Sequence, residues 1–209
     1  MKKFLQLLFI LALGTQISYA DDLMNGLSAY EKGDYNNAAL SFQSACESGN
    51  VEACYNLANM YDTGLGVPKN DQKAVALFTK SCDGGFSDGC YNLGMMYDKG
   101  EGVQQDYAKS FILFNKSCDA GHTRGCYNLG IMYYKAQGVQ KDYIKAAELF
   151  KKACDESYEK GCFNLGVMYR DGQGVMQNKQ MALELFKKAC EGNVLLGCKN
   201  YEKLKSEMK

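Results

Sequence analysis

The sequence holds a single histidine, His122, one proline and no tryptophan. One histidine leaves a metal-dependent hydrolase without its usual ligand set, which draws on several imidazoles. Neither sign of charge is in excess: 24 basic residues stand against 24 acidic ones. That balance gives no basis for a nucleic-acid or anionic-membrane partner. Beyond the first twenty residues no apolar run is long enough to span a bilayer, and nothing reads as a strand.

What the sequence does have is ten cysteines in five pairs: Cys46/Cys54, Cys82/Cys90, Cys118/Cys126, Cys154/Cys162 and Cys190/Cys198. Successive pairs stand 36 residues apart without drift. Within one continuous helix the members of a pair would lie about 12 Å apart, at 1.5 Å rise per residue. A disulfide needs roughly 4.4–6.8 Å between Cα atoms, so the chain must turn back between them. Gly84, Gly85, Gly89, Gly121, Gly125 and Gly192 supply such turns. Each pair therefore reads as a staple across a helix–turn–helix corner. Zinc is the rival reading, but structural zinc sites space their cysteines by about two to four residues, and no second half-site is present.

The first twenty residues read as an address. Lys2 and Lys3 precede an apolar run over 4–13, and Ser18 and Ala20 stand at the −3 and −1 positions of a cleavage site. The expectation is a signal peptide over 1–20, cut after Ala20 and with no lipoprotein cysteine. A soluble, exported chain over 21–209 follows, periplasmic or secreted, in the oxidising compartment that paired cysteines need.

Internal repeats decide the architecture. Units fall at 51–86, 87–122, 123–158 and 159–194, after a shorter helix pair over 21–50 and before a polar capping helix over 195–209. Each unit opens on a Cys-aromatic-Asn-Leu-small sequence, as at Cys54-Tyr55-Asn56-Leu57-Ala58 and Cys126-Tyr127-Asn128-Leu129-Gly130. Cys54, Leu57, Ala58 and Tyr61 form one helical stripe, and Ala74, Leu77, Phe78, Ser81 and Cys82 form another. Glycine-bearing turns separate the two helices. Asn70, Asp106, Asp142 and Asn178 then stand where an N-cap is needed. The fold class is all-α.

These units, especially Gly102-Val103-Gln104-Gln105-Asp106-Tyr107-Ala108-Lys109 and Cys126-Tyr127-Asn128-Leu129-Gly130-Ile131-Met132-Tyr133, resemble Sel-1-like repeats, relatives of the tetratricopeptide repeat. With cysteines stapling every unit, the chain resembles the secreted Helicobacter cysteine-rich protein (Hcp) family along its whole mature length. The resemblance implies a right-handed α/α solenoid with one disulfide per helix pair, its first helices lining a concave surface. It also implies penicillin binding or slow β-lactamase activity, and secreted proteins that contact host cells; no cofactor is expected.

The β-lactamase expectation finds little in the residues. Ser157-Tyr158-Glu159-Lys160 and Ser206-Glu207-Met208-Lys209 have the spacing of a serine with a lysine one turn on, but no Lys-Thr-Gly occurs. About one such spacing is expected by chance. Met60, Met96, Met132 and Met168 read as packing. His122 reads as a solvated turn residue. Lys80, Lys116, Lys152 and Lys188 suit the negative ends of their helices, with Asp83, Asp119 and Asp155 as partners.

One series points to binding. Asn56, Asn92, Asn128, Asn164 and Asn200 recur two positions after a cysteine, about 200° round the helix at 100° per residue. A carboxamide offers a donor and an acceptor, suited to a peptide backbone or to sugar hydroxyls; equally, each Asn can brace the neighbouring repeat. Around them the sequence varies: Met95, Ile131 and Val167 at one position, Asp98, Tyr134 and Arg170 at another. The expectation is a groove that clamps a peptide, a protein, a peptidoglycan fragment or a β-lactam through Asn56, Asn92, Asn128 and Asn164, with the varying positions selecting it. No metal is expected.

Overall fold

The computed structural model describes residues 22–208, so the expected signal peptide over 1–20 lies outside the described residues. Eleven helices and no strand occur among the described residues. They are α1 (22–31), α2 (Tyr35–Glu47), α3 (Val51–Thr63), α4 (Asp71–Asp83), α5 (Ser87–Lys99), α6 (Tyr107–Asp119), α7 (Thr123–Lys135), α8 (Tyr143–Asp155), α9 (Glu159–Asp171), α10 (Lys179–Glu191) and α11 (Leu195–Glu207). Contacts group them into two compact units, one ending at Gln105 and one beginning at Asp106. From α2 onward, each helix within a unit packs on the next along the chain, as an α/α solenoid requires.

Local chemistry sets the ends of these helices. Asp34, Asn50, Asn70, Asp106, Asp142 and Asn178 are N-caps, each side chain accepting from the backbone N–H three residues on. The first helix of each repeat closes on a left-handed residue: Gly64, Gly100, Ala136 or Gly172. The cap N–H returns to the carbonyl of Met60, Met96, Met132 or Met168. Those four methionines are buried, as packing residues should be.

Each second helix puts one phenylalanine into the core of its unit. Phe42, Phe78, Phe114, Phe150 and Phe186 are all at most 2% exposed. Gly130 and Gly166 make room for two of the rings: a Cβ there would stand 2.9 Å from Phe150 or Phe186.

At the corners the chain joins Cys46–Cys54, Cys82–Cys90, Cys118–Cys126, Cys154–Cys162 and Cys190–Cys198, with Cα atoms 4.4–4.6 Å apart. Small residues permit this approach. A Cβ on Gly89 would meet Ser81 Oγ at 2.5 Å, and one on Gly125 would meet Ser117 Oγ at 2.6 Å. The five disulfides indicate an oxidising environment, extracellular or periplasmic. No described helix is long and apolar enough to cross a membrane.

The last helix starts at Leu195, ahead of the cysteine where its sequence begins to turn polar. Only Gly197 and Leu204 of it are buried, and Leu195 and Leu196 lie exposed at its start.

Two readings from sequence need correction. His122 is half-buried and caps α7, its Nδ1 accepting from Gly125 N–H at 3.1 Å. Lys152 does not pair with Asp155. Its Nζ donates to the Cys118 carbonyl at 3.3 Å, while Asp155 pairs with Lys151 at 2.7 Å. Lys80 reaches the Cys46 carbonyl and Lys188 the Cys154 carbonyl in the same way. The carbonyls in the last turn of a helix have no partner within it, and an ammonium from the next second helix supplies one.

Candidate functional site

The first helices stand side by side within each unit, and the Asn series lies along their contact. Asn92 Nδ2 on α5 donates to Asn59 Oδ1 on α3 at 3.2 Å. Asn164 Nδ2 on α9 donates to the Tyr127 hydroxyl on α7 at 3.3 Å. Arg170 Nη1 on α9 donates to Asn200 Oδ1 on α11 at 3.0 Å. Each bond runs between successive repeats. Asn92 and Asn164 are half-buried, and each commits one N–H in this way. Each keeps a second N–H and a carbonyl oxygen with no further bond among the described residues.

Beside each of these residues lies a cavity. In the second unit it measures about 330 Å³ and opens between α7 and α9, with Ile131 and Tyr134 on one wall and Asn164 and Val167 on the other. Phe150 forms part of its lining, and Tyr127, Phe163 and Lys135 complete it. In the first unit the corresponding cavity, of about 170 Å³, is lined by Asn92, Met95, Tyr91, Asp62, Lys99 and Glu101, among others. The structure therefore brings together Asn164, Ile131, Tyr134 and Val167 in one place, and Asn92 with Met95 in another. Asp98 and Arg170 lie outside both linings. The Asp98 carbonyl accepts from Gln105 Nε2. Arg170 is locked to Asp171 through two 2.7 Å bonds, which hold the Asp171 carboxyl below its usual range and raise the guanidinium above its own. Asn56 and Asn128, both half-buried, hold the equivalent positions in α3 and α7.

Sequence reasoning missed the aromatic residue that precedes Asn56, Asn92, Asn128 and Asn164, although its constant place in the motif was a signal. Tyr127 packs 5.7 Å from Phe150 and 5.0 Å from Tyr158, centroid to centroid. Burial raises the Tyr127 phenol above its usual value, the neighbouring Tyr158 adds to this, and the bond from Asn164 offsets part of it. The hydroxyl stays protonated at neutral pH.

A second pair of cavities lies between second helices, of about 270 and 330 Å³. Two 36-residue periods separate them, and their linings match: Tyr61 and Tyr133, Lys73 and Lys145, Lys80 and Lys152, Glu47 and Asp119. In both, a lysine sits over a tyrosine ring, Lys73 at 4.8 Å and Lys145 at 5.2 Å from the centroid.

Ser157 is exposed in a corner with φ 58°, at the position where other repeats carry Gly49, Gly85 and Gly121 with positive φ. Ser206 is exposed and donates to the Lys203 carbonyl. Neither lines a cavity described above. No group of three or more His, Cys, Asp or Glu among the described residues is placed to hold a metal ion.

Comparison with known proteins sets these features in a family. None of the curated proteins compared matches the chain. Among solved structures, a protective antigen of uropathogenic Escherichia coli displaying an SLR fold is 30% identical, with TM-score 0.85 over 89% of this chain. The match spans 41% of that antigen's own chain. A Sel1 repeat protein from Oxalobacter formigenes is 24% identical, with TM-score 0.77 over 81% of this chain and 70% of its own. Helicobacter pylori cysteine rich protein B is 31% identical, with TM-score 0.50 over 62% of this chain and 93% of its own. The Sel1 repeat pattern matches residues 51–86, 87–122, 123–158 and 160–194 in unbroken succession. With its helix pairs, capped turns and stapled corners, the chain belongs to the Sel1 repeat family.

Proposed function

We propose that the chain is an exported interaction scaffold that binds an extended peptide or protein segment along the face carried by its first helices. The observation that carries this reading is the contrast between the two kinds of cavity. Those between second helices repeat nearly the same residues, as a packing requirement common to every unit would produce. Those between first helices keep Asn92 and Asn164 and change what surrounds them, from Asp62 to Tyr134 and from Met95 to Val167. A fixed carboxamide suits a peptide backbone, the same in every partner. Changing neighbours suit side chains, which differ. Asn56 and Asn128 extend the fixed set, and Asp98, Ile131 and Arg170 extend the variable one.

Sel1 repeat proteins as a class mediate protein–protein interaction, which supports a protein partner over a β-lactam or a peptidoglycan fragment. Export rests on residues 1–20 as a signal sequence, and the five disulfides fit the compartment it leads to.

Panning a library of capped random decapeptides against the disulfide-intact protein tests the proposal. A selected peptide should bind Asn164→Ala roughly threefold to tenfold more weakly, the worth of one neutral hydrogen bond. Lys145→Ala, on the second-helix side, should leave affinity unchanged. The reverse pattern would move the site to the other face.

A further inference from the structure

We infer that the cavity between α7 and α9 is an anchor subsite for one large apolar side chain, aromatic or aliphatic, followed in the bound segment by an acidic residue that pairs with Lys135. This rests on the first-helix face being the binding face.

The two phenol hydroxyls of the cavity wall are already engaged. The Tyr134 hydroxyl is bonded to Gln173 Oε1 at 2.9 Å, and the Tyr127 hydroxyl accepts from Asn164. Both rings are also held from behind, Tyr134 by Tyr143 at 5.2 Å and Tyr127 by Tyr158 at 5.0 Å. With Ile131, Phe163 and Val167 the wall therefore offers carbon in fixed positions. A dry, apolar-lined cavity of about 150 Å³ takes benzene, so about 330 Å³ has room for a phenylalanine or leucine side chain. The pre-set rings lower the ordering cost of binding.

At the mouth stands one cation. Lys135 is exposed in the last turn of α7 and makes no ion pair among the described residues. Arg170, by contrast, is neutralised by Asp171. An apolar cavity with one uncompensated positive charge at its rim is complementary to an apolar side chain beside a carboxylate. The corresponding cavity of the first unit differs: Asp62, Lys99 and Glu101 line a volume half as large. The apolar anchor thus belongs to the α7–α9 step.

The probes are three capped hexapeptides, Ser-Gly-Phe-Asp-Gly-Ser and its Ala-Asp and Phe-Lys counterparts, titrated by NMR into the full disulfide-intact chain. The Phe-Asp peptide should bind about tenfold or more tighter than Ala-Asp, from burial of the ring, and about two- to fivefold tighter than Phe-Lys. Val167→Arg, which fills the cavity, should abolish the advantage of Phe. Lys135→Glu, at an exposed position where the fold is not at risk, should invert the Asp–Lys preference and keep that of Phe. Equal binding of the Phe and Ala peptides would overturn the anchor; if Asn164→Ala still weakened both, the binding face itself would stand. An Asp–Lys preference unmoved by Lys135→Glu would overturn the acidic neighbour. Failure of all three peptides to bind at millimolar concentration would also overturn the anchor, while the panning result decides the binding face independently.

Discussion

At the end of α7 an alanine, Ala136, holds φ at 59°, where Gly64, Gly100 and Gly172 close the equivalent helices. A Cβ in the left-handed region costs roughly 1–2 kcal/mol, and glycine's extra freedom when unfolded returns about 0.4–1 of it. Ala136→Gly should therefore stabilise the protein by about 0.5–1 kcal/mol, measured by thermal denaturation; a loss of stability would contradict this account of the corner. Ser81 offers a second case. Its hydroxyl is fully buried with no hydrogen-bond partner among the described residues, pressed against Gly89, and alanine stands at the equivalent positions 45, 153 and 189. Ser81→Ala should stabilise by about 1 kcal/mol, because an unpaired buried hydroxyl costs that much or more. The caps at Asn70, Asp106, Asp142 and Asn178 were legible, since short acceptors recurred where the second helices had to begin. The cap supplied by His122 was not: Asn50 caps at the equivalent position, but Phe86, Tyr158 and Val194 hold it in the other repeats and form no side-chain cap bond.

Among the helices, neighbouring lysines do different work. Lys152 Nζ bonds the last-turn carbonyl of Cys118 on the preceding second helix, while Lys151 meets Asp155 on its own helix. Lys152→Met should cost about 0.5–1.5 kcal/mol, the net worth of one hydrogen bond. Lys151→Met should cost under about 0.5 kcal/mol, as exposed i,i+4 pairs do. Urea denaturation of the two variants checks the difference, and equal losses would contradict it. These inter-repeat bonds were hidden in the sequence because their partners lie 34 residues apart, close to one whole period. Local charge patterning pointed instead to the nearby aspartates. The corners themselves were legible, since cysteines eight residues apart can pair only if the chain turns back. Replacing both Cys154 and Cys162 by alanine should cost about 2.5 kcal/mol for a nine-residue loop. In a repeat array that loss stays with its own corner, so the protein should remain folded, with native circular dichroism and a lower unfolding midpoint.

Taken as a whole, the chain is a repetition whose period the cysteines disclose, and the all-helical fold and the pairing of every cysteine could be read from it. Which side chains face one another across repeats could not. The aromatic wall of the α7–α9 cavity depends on Tyr127, Tyr134 and Phe163 meeting from different turns and different helices, and a stripe of period 3.6 does not distinguish packing from lining. Two members of the Asn series show the same ambiguity: Asn92 and Asn164 each spend one N–H on the neighbouring repeat, and the proposed function gives the rest of the carboxamide to a partner. Backbone amide shift mapping of the disulfide-intact protein with a selected peptide tests that assignment most directly. Perturbed amides should cluster on the first helices, around Asn92 and Met95 or around Ile131, Tyr134, Asn164 and Val167. Perturbations gathered on the second helices, around Lys73 and Lys145, with the first helices silent, would contradict it.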